Sequence, residues 1–448
     1  MKRRMPLATR ILWGLVIGVV AALATLGVGQ LYPPFLAFMQ RVSGAIFDPF
    51  GQVFLRLLFF VVMPLVFSSL ASGVTQLGRL DRLGPLAGRT FVLFVANMLI
   101  GVAIGLAMMN VLQPGHHMGS DATTQLMAEY GSRAQQTLAT EAARPTMSLA
   151  LLVDMFMPRN LLGAIAGSSR GALGEVLPLI LFAILVGAAA TGLAEDRRRS
   201  LQRGLDTVTE VMTRIVDFAL ELAPYAVPAM IYSVIVKVGV NVLLSLSVFV
   251  AGCVVALALH LFGTMSVWIR LLGKRSPGQF FRQIRPILVT GFSTSSSNAT
   301  LPTSLTVASE DLKLRNSTAS FVLSLGATMN MSGTALFEGC VVLFIAQIFG
   351  IDLSLAQQLI LMLLAVLSAV AVAGIPGGSL PLVAALLATF GVPPEGIGII
   401  IGVDRILDMA RTTVNVGADI VIATVVDDQL KRSETRRGTP ASWPSTRQ

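Results

Sequence analysis

Residues 399–427 read IIIGVDRILDMARTTVNVGADIVIATVVD, and this stretch decides the fold. Its polar residues Asp404, Asp408, Arg411, Thr412, Asn415 and Asp419 are separated mostly by steps of three and four inside an apolar segment long enough to cross a bilayer. At 3.6 residues per turn they fall on one stripe of a helix, with Arg405 at its margin. Four of these side chains are ionisable, and facing lipid they would cost about 3 kcal/mol each, on the order of 10 kcal/mol together. The stripe must therefore face protein, water or a ligand. Intramembrane charges mark solute and ion pathways more often than structural struts.

The rest of the chain has the composition such a helix needs. Of 448 residues 54% are hydrophobic and only 13% charged, against about 25% charged in soluble proteins, and the mean hydropathy is +0.76. The net charge of +9 comes from short basic clusters between apolar blocks, without interleaved aromatics, which excludes a nucleic-acid-binding face and fits cytoplasmic loops. Cys253 and Cys340 both lie in apolar runs and read as packing residues. His116, His117 and His260 have no partners at metal-ligand spacing. The basic N-terminus leads into an apolar run too long for a signal peptide, so it is read as the first span.

Ten apolar blocks follow one another, at roughly 11–39, 50–78, 88–112, 148–193, 205–236, 240–272, 286–308, 316–348, 355–391 and 396–426. Basic clusters at the N-terminus, at Arg79, Arg82 and Arg89, at Arg197 to Arg203, at Arg270 to Arg285, at Lys313 and Arg315, and at Lys431 to Arg437 should all be cytoplasmic. Those clusters share a side only if 286–308 starts and ends in the cytoplasm and 355–391 enters and leaves outside. Each is then a hairpin with a helix-breaking tip, Ser293-Thr294-Ser295-Ser296-Ser297-Asn298 in the first and residues 373–379, AGIPGGS, in the second. Irregular backbone at membrane depth is tolerated where it lines a cavity, and a pair of such tips entering from opposite sides points to an inverted repeat with a midplane site. The expected fold is an all-α polytopic membrane protein of eight transmembrane helices plus two re-entrant helical hairpins. The polar connection at about 113–147 is expected to be an external loop outside the mechanism.

Three polar groups carry candidate chemistry. The hydroxyl-rich tip, residues 293–299, would let a helix N-terminus approach an anionic group. It is not a nucleophile elbow, since the second glycine and a partner base are both missing. In residues 326–339, GATMNMSGTALFEG, Asn330 and Gly333 interrupt an apolar helix and would free carbonyls at mid-depth, hard ligands for sodium together with Asp419. Glu338 is a lone acid suited to carry a proton, because in an apolar pocket the neutral carboxyl costs less than the carboxylate. No phosphate-binding loop occurs, so an ion gradient is the remaining energy source.

The run Ser295-Ser296-Ser297-Asn298-Ala299-Thr300-Leu301-Pro302, the run Asn330-Met331-Ser332-Gly333-Thr334, the Gly374 to Ser379 tip and the Asp404 to Asp419 stripe together resemble the dicarboxylate/amino acid:cation symporter family, which includes the glutamate transporters. The resemblance implies a multi-pass plasma or bacterial inner membrane protein, not an enzyme, with both termini cytoplasmic. It further implies a homotrimer working by an elevator motion, without bound cofactors beyond transported sodium ions or protons. Residues 1–78 and 113–238 would form the scaffold, 79–112 and 239–428 the mobile transport unit, and 429–448 a cytoplasmic tail. Asp408 would bind a substrate ammonium, Arg411 a side-chain carboxylate, and Thr334, Thr412 and Asn415 further polar atoms, with backbone at Ser296, Ser297 and Ile375 on the other carboxylate. Sodium would sit at Gly326, Asn330, Asn415 and Asp419, and at Thr328 and Met331 with carbonyls near residues 369–372. A third family site departs: Ser332 stands where the pattern has an acid, beside Phe94, Asn97 and Met98. Fewer sodium ions are therefore expected, with a proton on Glu338 replacing one.

The expected function is symport of aspartate or glutamate driven by a sodium or proton gradient. The runner-up is a C4-dicarboxylate (succinate, malate or fumarate) carrier, and from another class a passive anion channel. An acid at Asp408 favours an amino acid, because relatives that carry dicarboxylates tend to lack one there.

Overall fold

The computed structural model describes residues 7–77, 85–118, 157, 159–161, 163, 176–372 and 379–437. Among them all regular structure is helical. Six helices are long and apolar enough to cross a membrane: Thr9–Leu31, Leu86–His117, Glu195–Lys237, Asn241–Gly273, Asn316–Ile348 and Pro394–Glu434. Shorter apolar helices occur at Met63–Thr75, Pro178–Thr191 and Leu355–Val370. This is the architecture of a polytopic membrane protein, since a helix satisfies its own backbone polar groups in lipid.

One group of elements packs around the 44-residue helix Glu195–Val238, which receives Leu7–Leu31, Asp48–Phe60 and Val62–Leu77, the last also covered by Val176–Thr191. Its cross-links are polar as well as apolar. Thr25 and Tyr232 share a hydrogen bond of 2.9 Å, Ser72 donates to Asp206 at 2.5 Å, and Lys237 pairs with Asp48 at 2.5 Å. A second group surrounds Ser332–Ile348, every residue of which is buried, with Pro85–Leu112 and the terminal helix Ile397–Arg437 as its main neighbours. The two groups meet where the terminal helix touches Glu195–Val238 and Leu7–Leu31. Cys253 and Cys340 are buried and unbridged.

Several helices differ from their apolar blocks. Glu195–Val238 begins ten residues ahead of its block because Glu195 pairs with Arg198 and Arg199, one turn along, so the basic cluster is helical. Ile397–Arg437 likewise runs eleven residues past its block, held at the end by ion pairs. Arg275 binds Asp428 at 2.7 Å, Arg315 binds Asp427 at 2.7 Å and Glu434 at 2.8 Å, and Lys431 binds Asp427 at 2.7 Å. The hydrogen bond to Asp428 raises the Arg275 guanidinium above its ordinary value. For Arg315, burial pulls the value down, but hydrogen bonds to Asp427 and Glu434 outweigh it and the net shift is upward. The connection at 113–147 is described only to Met118, as a 3₁₀ turn Pro114–Met118 whose Gly115 N–H donates to Gln347 at 3.2 Å.

Both segments read as hairpins are pairs of short helices packed on one another. Arg285–Thr294 and Ser297–Glu310 are joined through Ser295, whose φ of 51° lies in the left-handed region that ends the first helix. Leu355–Ala371 and Leu380–Thr389 form the second pair, and of its tip residues 373–378, with Ile375, lie outside the described residues. The break in residues 316–348 falls at Asn330 and Met331, where ψ turns to 66° and 56° between Asn316–Met329 and Ser332–Ile348.

Candidate functional site

The terminal helix turns its polar stripe inward, and Asp404, Asp408, Arg411, Thr412, Asn415 and Asp419 are all buried, none more than 6% exposed. Arg411 is the hub. Its guanidinium stacks over the Phe337 ring at 4.4 Å, reaches Asp408 Oδ1 through Nε at 3.0 Å and Nη2 at 2.9 Å, and reaches Asp404 Oδ1 through Nη1 at 3.2 Å. Arg405 donates to the other oxygen of Asp408 at 3.3 Å. Two arginines, the buried Arg411 and the partly exposed Arg405, thus balance the two buried aspartates Asp404 and Asp408.

Asn415 is committed to the helix break. Its Oδ1 accepts from the N–H groups of Gly333 at 2.7 Å and Thr334 at 3.3 Å, and its Nδ2 donates to Thr334 Oγ1 at 3.1 Å and Met331 Sδ at 3.3 Å. Those N–H groups have no carbonyl one turn back, because Ser332–Ile348 starts at this point. Gly333 is needed here, since a Cβ would run into the Arg411 carbonyl oxygen. A distant side chain therefore caps the broken helix and ties it to the stripe.

A small cavity of about 10 Å³, room for about one water, lies beside the first hairpin tip. Met331, Thr334, Asp408, Arg411, Thr412 and Asn415 line it from the central helices, Ser295 and Ser297 from the first tip, and Val372 and Ser379 from the second. The stripe, the first tip and the residues flanking the second tip meet here. The Ser296 hydroxyl accepts from Ala299 N–H at 3.2 Å as the N-cap of Ser297–Glu310. Ser295, turned inward by its left-handed backbone, lines the cavity instead, and its hydroxyl and that of Ser379 are buried without a hydrogen-bond partner. The sequence missed both; a serine ending one helix just before the N-cap of the next was the available signal.

A larger cavity of about 420 Å³ opens on the other side of Asp408. Asp404, Arg405 and Asp408 line it from the terminal helix and Arg214, Asp217 and Glu221 from Glu195–Val238. Asp408 borders both cavities. Arg214, Asp217 and Glu221 carry no sequence signal, because they sit within the half of Glu195–Val238 that is charged throughout.

The candidate sodium ligands separate into groups. Asp419 Oδ1 accepts from Asn330 Nδ2 at 2.8 Å, and Gly326 packs against the same carboxylate so closely that a Cβ there would meet it. Asn330 Oδ1 in turn accepts from Asn97 Nδ2 at 3.1 Å. Thr328 lies apart, lining a cavity with Val370 and Val372, while Met331 faces the small cavity. Among the described residues no group of three or more His, Cys, Asp or Glu gathers as for a transition metal. Carbonyl and amide oxygens with a single carboxylate are instead the donor set of a hard monovalent cation. At the departing third site Ser332 and Asn97 are fully buried, Phe94 and Met98 are apolar walls, and no acid stands at Ser332. Glu338 is also fully buried; neither oxygen makes a hydrogen bond within normal limits, although Ser368 and Arg411 are close enough to act on it.

Residues 7–429 match the model of the family described as the sodium:dicarboxylate symporter family. The chain is 30% identical over 427 residues to the proton/sodium-glutamate symport protein of Bacillus caldotenax, covering 95% of this chain and 94% of that one. It is 31% identical over 390 residues to the proton/glutamate-aspartate symporter of Escherichia coli (strain K12), covering 85% and 84%. It is 29% identical over 411 residues to C4-dicarboxylate transport protein 1 of Mesorhizobium japonicum, covering 91% and 80%.

Proposed function

Because the chain belongs to the sodium:dicarboxylate symporter family of secondary transporters, which are not enzymes, we propose that it imports aspartate or glutamate on a sodium or proton gradient. The observation that supports this most is Asp408 beside Arg411 at the small cavity beside the first tip. An acidic amino acid offers both carboxylates and an ammonium. Arg411 would turn its bidentate fork from Asp408 to the substrate's side-chain carboxylate, and the released Asp408 would accept from the ammonium. Thr334, Thr412 and Asn415, with backbone of Ser296, Ser297 and Ile375, would fix the remaining polar atoms. Asp419 and Asn330 with Gly326 and Asn415, and Thr328 with Met331, would hold sodium.

The transport cycle on this reading is an elevator. Residues 79–112 and 239–428 would travel against a scaffold of 1–78 and 113–238, with eight membrane crossings and two re-entrant hairpins. The protein would be a homotrimer in lipid of the bacterial inner membrane, both termini and the tail 429–448 cytoplasmic. Ser332 supports a reduced sodium count, since nothing there offsets an ion's dehydration. Glu338 would carry the compensating proton.

A C4-dicarboxylate carrier is the second reading, favoured by the two arginines that already clasp Asp408 and by the relative in Mesorhizobium japonicum. Titrating purified protein with aspartate, glutamate and succinate, with and without sodium, separates the two. Uptake into proteoliposomes under imposed sodium or pH gradients tests the coupling. Flux without accumulation, indifferent to both gradients, would refute symport and indicate a channel.

A further inference from the structure

Asp408 is held from two sides, by Arg411 facing the small cavity and by Arg405 facing the large one. Arg405 is next to Asp404 in sequence but pairs with Asp408, one turn along, at 3.3 Å. Its side chain is 18% exposed, its Nε is buried without a partner, and it lines the large cavity with Asp217 and Glu221 of the facing helix. The acidic-amino-acid reading needs Asp408 for the substrate ammonium. An ammonium arriving there competes with a guanidinium already in place.

We propose that Arg405 is a specificity-determining residue of this site, a second guanidinium that contests Asp408 with the substrate ammonium and so narrows the preference for amino acids over plain dicarboxylates. A dicarboxylate leaves the Arg405–Asp408 pair intact. An amino acid must break it, and the released guanidinium turns toward Asp217 and Glu221 across the large cavity. This rests on the function proposed above.

The test is a binding titration of the purified full chain with aspartate and with succinate at saturating cation. Arg405→Gln is expected to shift the affinity ratio toward aspartate by roughly 1.5- to fivefold, the range of one partly exposed ion pair. Arg405→Lys, which keeps the charge, is expected to stay near the wild-type ratio. In an Asp408→Asn background Arg405→Gln is expected to leave the ratio where Asp408→Asn alone puts it. Should the glutamine variant not fold, Arg405→Met keeps the apolar stem and is read in the same way. A ratio unmoved by loss of the charge, or moved equally in the Asp408→Asn background, overturns the role of Arg405 alone, provided wild type binds aspartate. A wild type that binds neither ligand would remove the acidic-amino-acid reading together with it.

Discussion

Replacing Asp408 by serine separates the reading of the ammonium from everything else this site does. In the structure Asp408 takes hydrogen bonds from Arg411 at 3.0 and 2.9 Å and from Arg405 at 3.3 Å, so the substitution removes an anion from a cluster of two anions and two cations. Arg411 keeps Asp404 at 3.2 Å and the Phe337 ring at 4.4 Å, and Arg405 faces the large cavity, so neither arginine is stranded and the fold should persist. For aspartate or glutamate the variant loses a charge-assisted hydrogen bond to the ammonium, about 1.5–3 kcal/mol. That corresponds to roughly a ten- to hundredfold weaker affinity. Succinate has no ammonium to lose and meets two guanidinium groups relieved of Asp408, so its affinity should hold or rise. The assay is competition by aspartate, glutamate and succinate for one labelled substrate, in wild type and in Asp408→Ser, at fixed sodium and pH. Equal losses for amino acid and dicarboxylate would show that Asp408 does not read the ammonium, and the argument from its position would fail.

Three further outcomes are expected. Asp419→Asn removes the carboxylate that Asn330 holds at 2.8 Å, and the sodium concentration needed for half-maximal binding should rise by about tenfold or more, given about 1.5–3 kcal/mol for one charged contact; an unchanged sodium dependence would place the ion elsewhere. Glu338→Gln should abolish uptake driven by a pH gradient in sodium-free proteoliposomes while leaving substrate binding measurable, and persistent pH-driven uptake would clear Glu338 of proton carriage. Arg315→Ala leaves the buried Asp427 with Lys431 and should lower the melting midpoint of the purified protein. Because the Arg315 value is raised on folding, its contribution is complete below the ordinary arginine range and is lost only as pH climbs through the raised value. The drop should therefore be constant from about pH 6 to 9, and a drop confined to one end of that range would contradict the assignment.

The two arginines also bear on how the site fills. Asp408 borders both the large cavity, which Glu195–Val238 also lines, and the small one beside the first tip. On the proposed function, a substrate ammonium reaching Asp408 would displace a guanidinium group already in place, so binding would rearrange this ion cluster.

Sequence alone settled what depends on burial and periodicity. A polar stripe inside an apolar helix has to face inward, and all six of its members do so. Ser295 and Asn330 break a helix at membrane depth where they stand, because backbone preference is local, whereas Gly333, read as a second interruption, lies inside Ser332–Ile348. What the sequence could not supply was partnership. Periodicity puts Arg411, Asp408 and Asp404 on one face, but whether the guanidinium points along its own helix or across a gap is settled by its neighbours, and here those are two aspartates and a phenylalanine ring from another helix. Asn415 caps a helix more than eighty residues earlier in the chain, and Ser295 rather than Ser296 faces the cavity, because hydrogen bonds are allotted by the elements that meet, not by their order. The charges Arg214, Asp217 and Glu221 came to the large cavity only when Glu195–Val238 was laid against the stripe, since local pattern is blind to which two helices will touch.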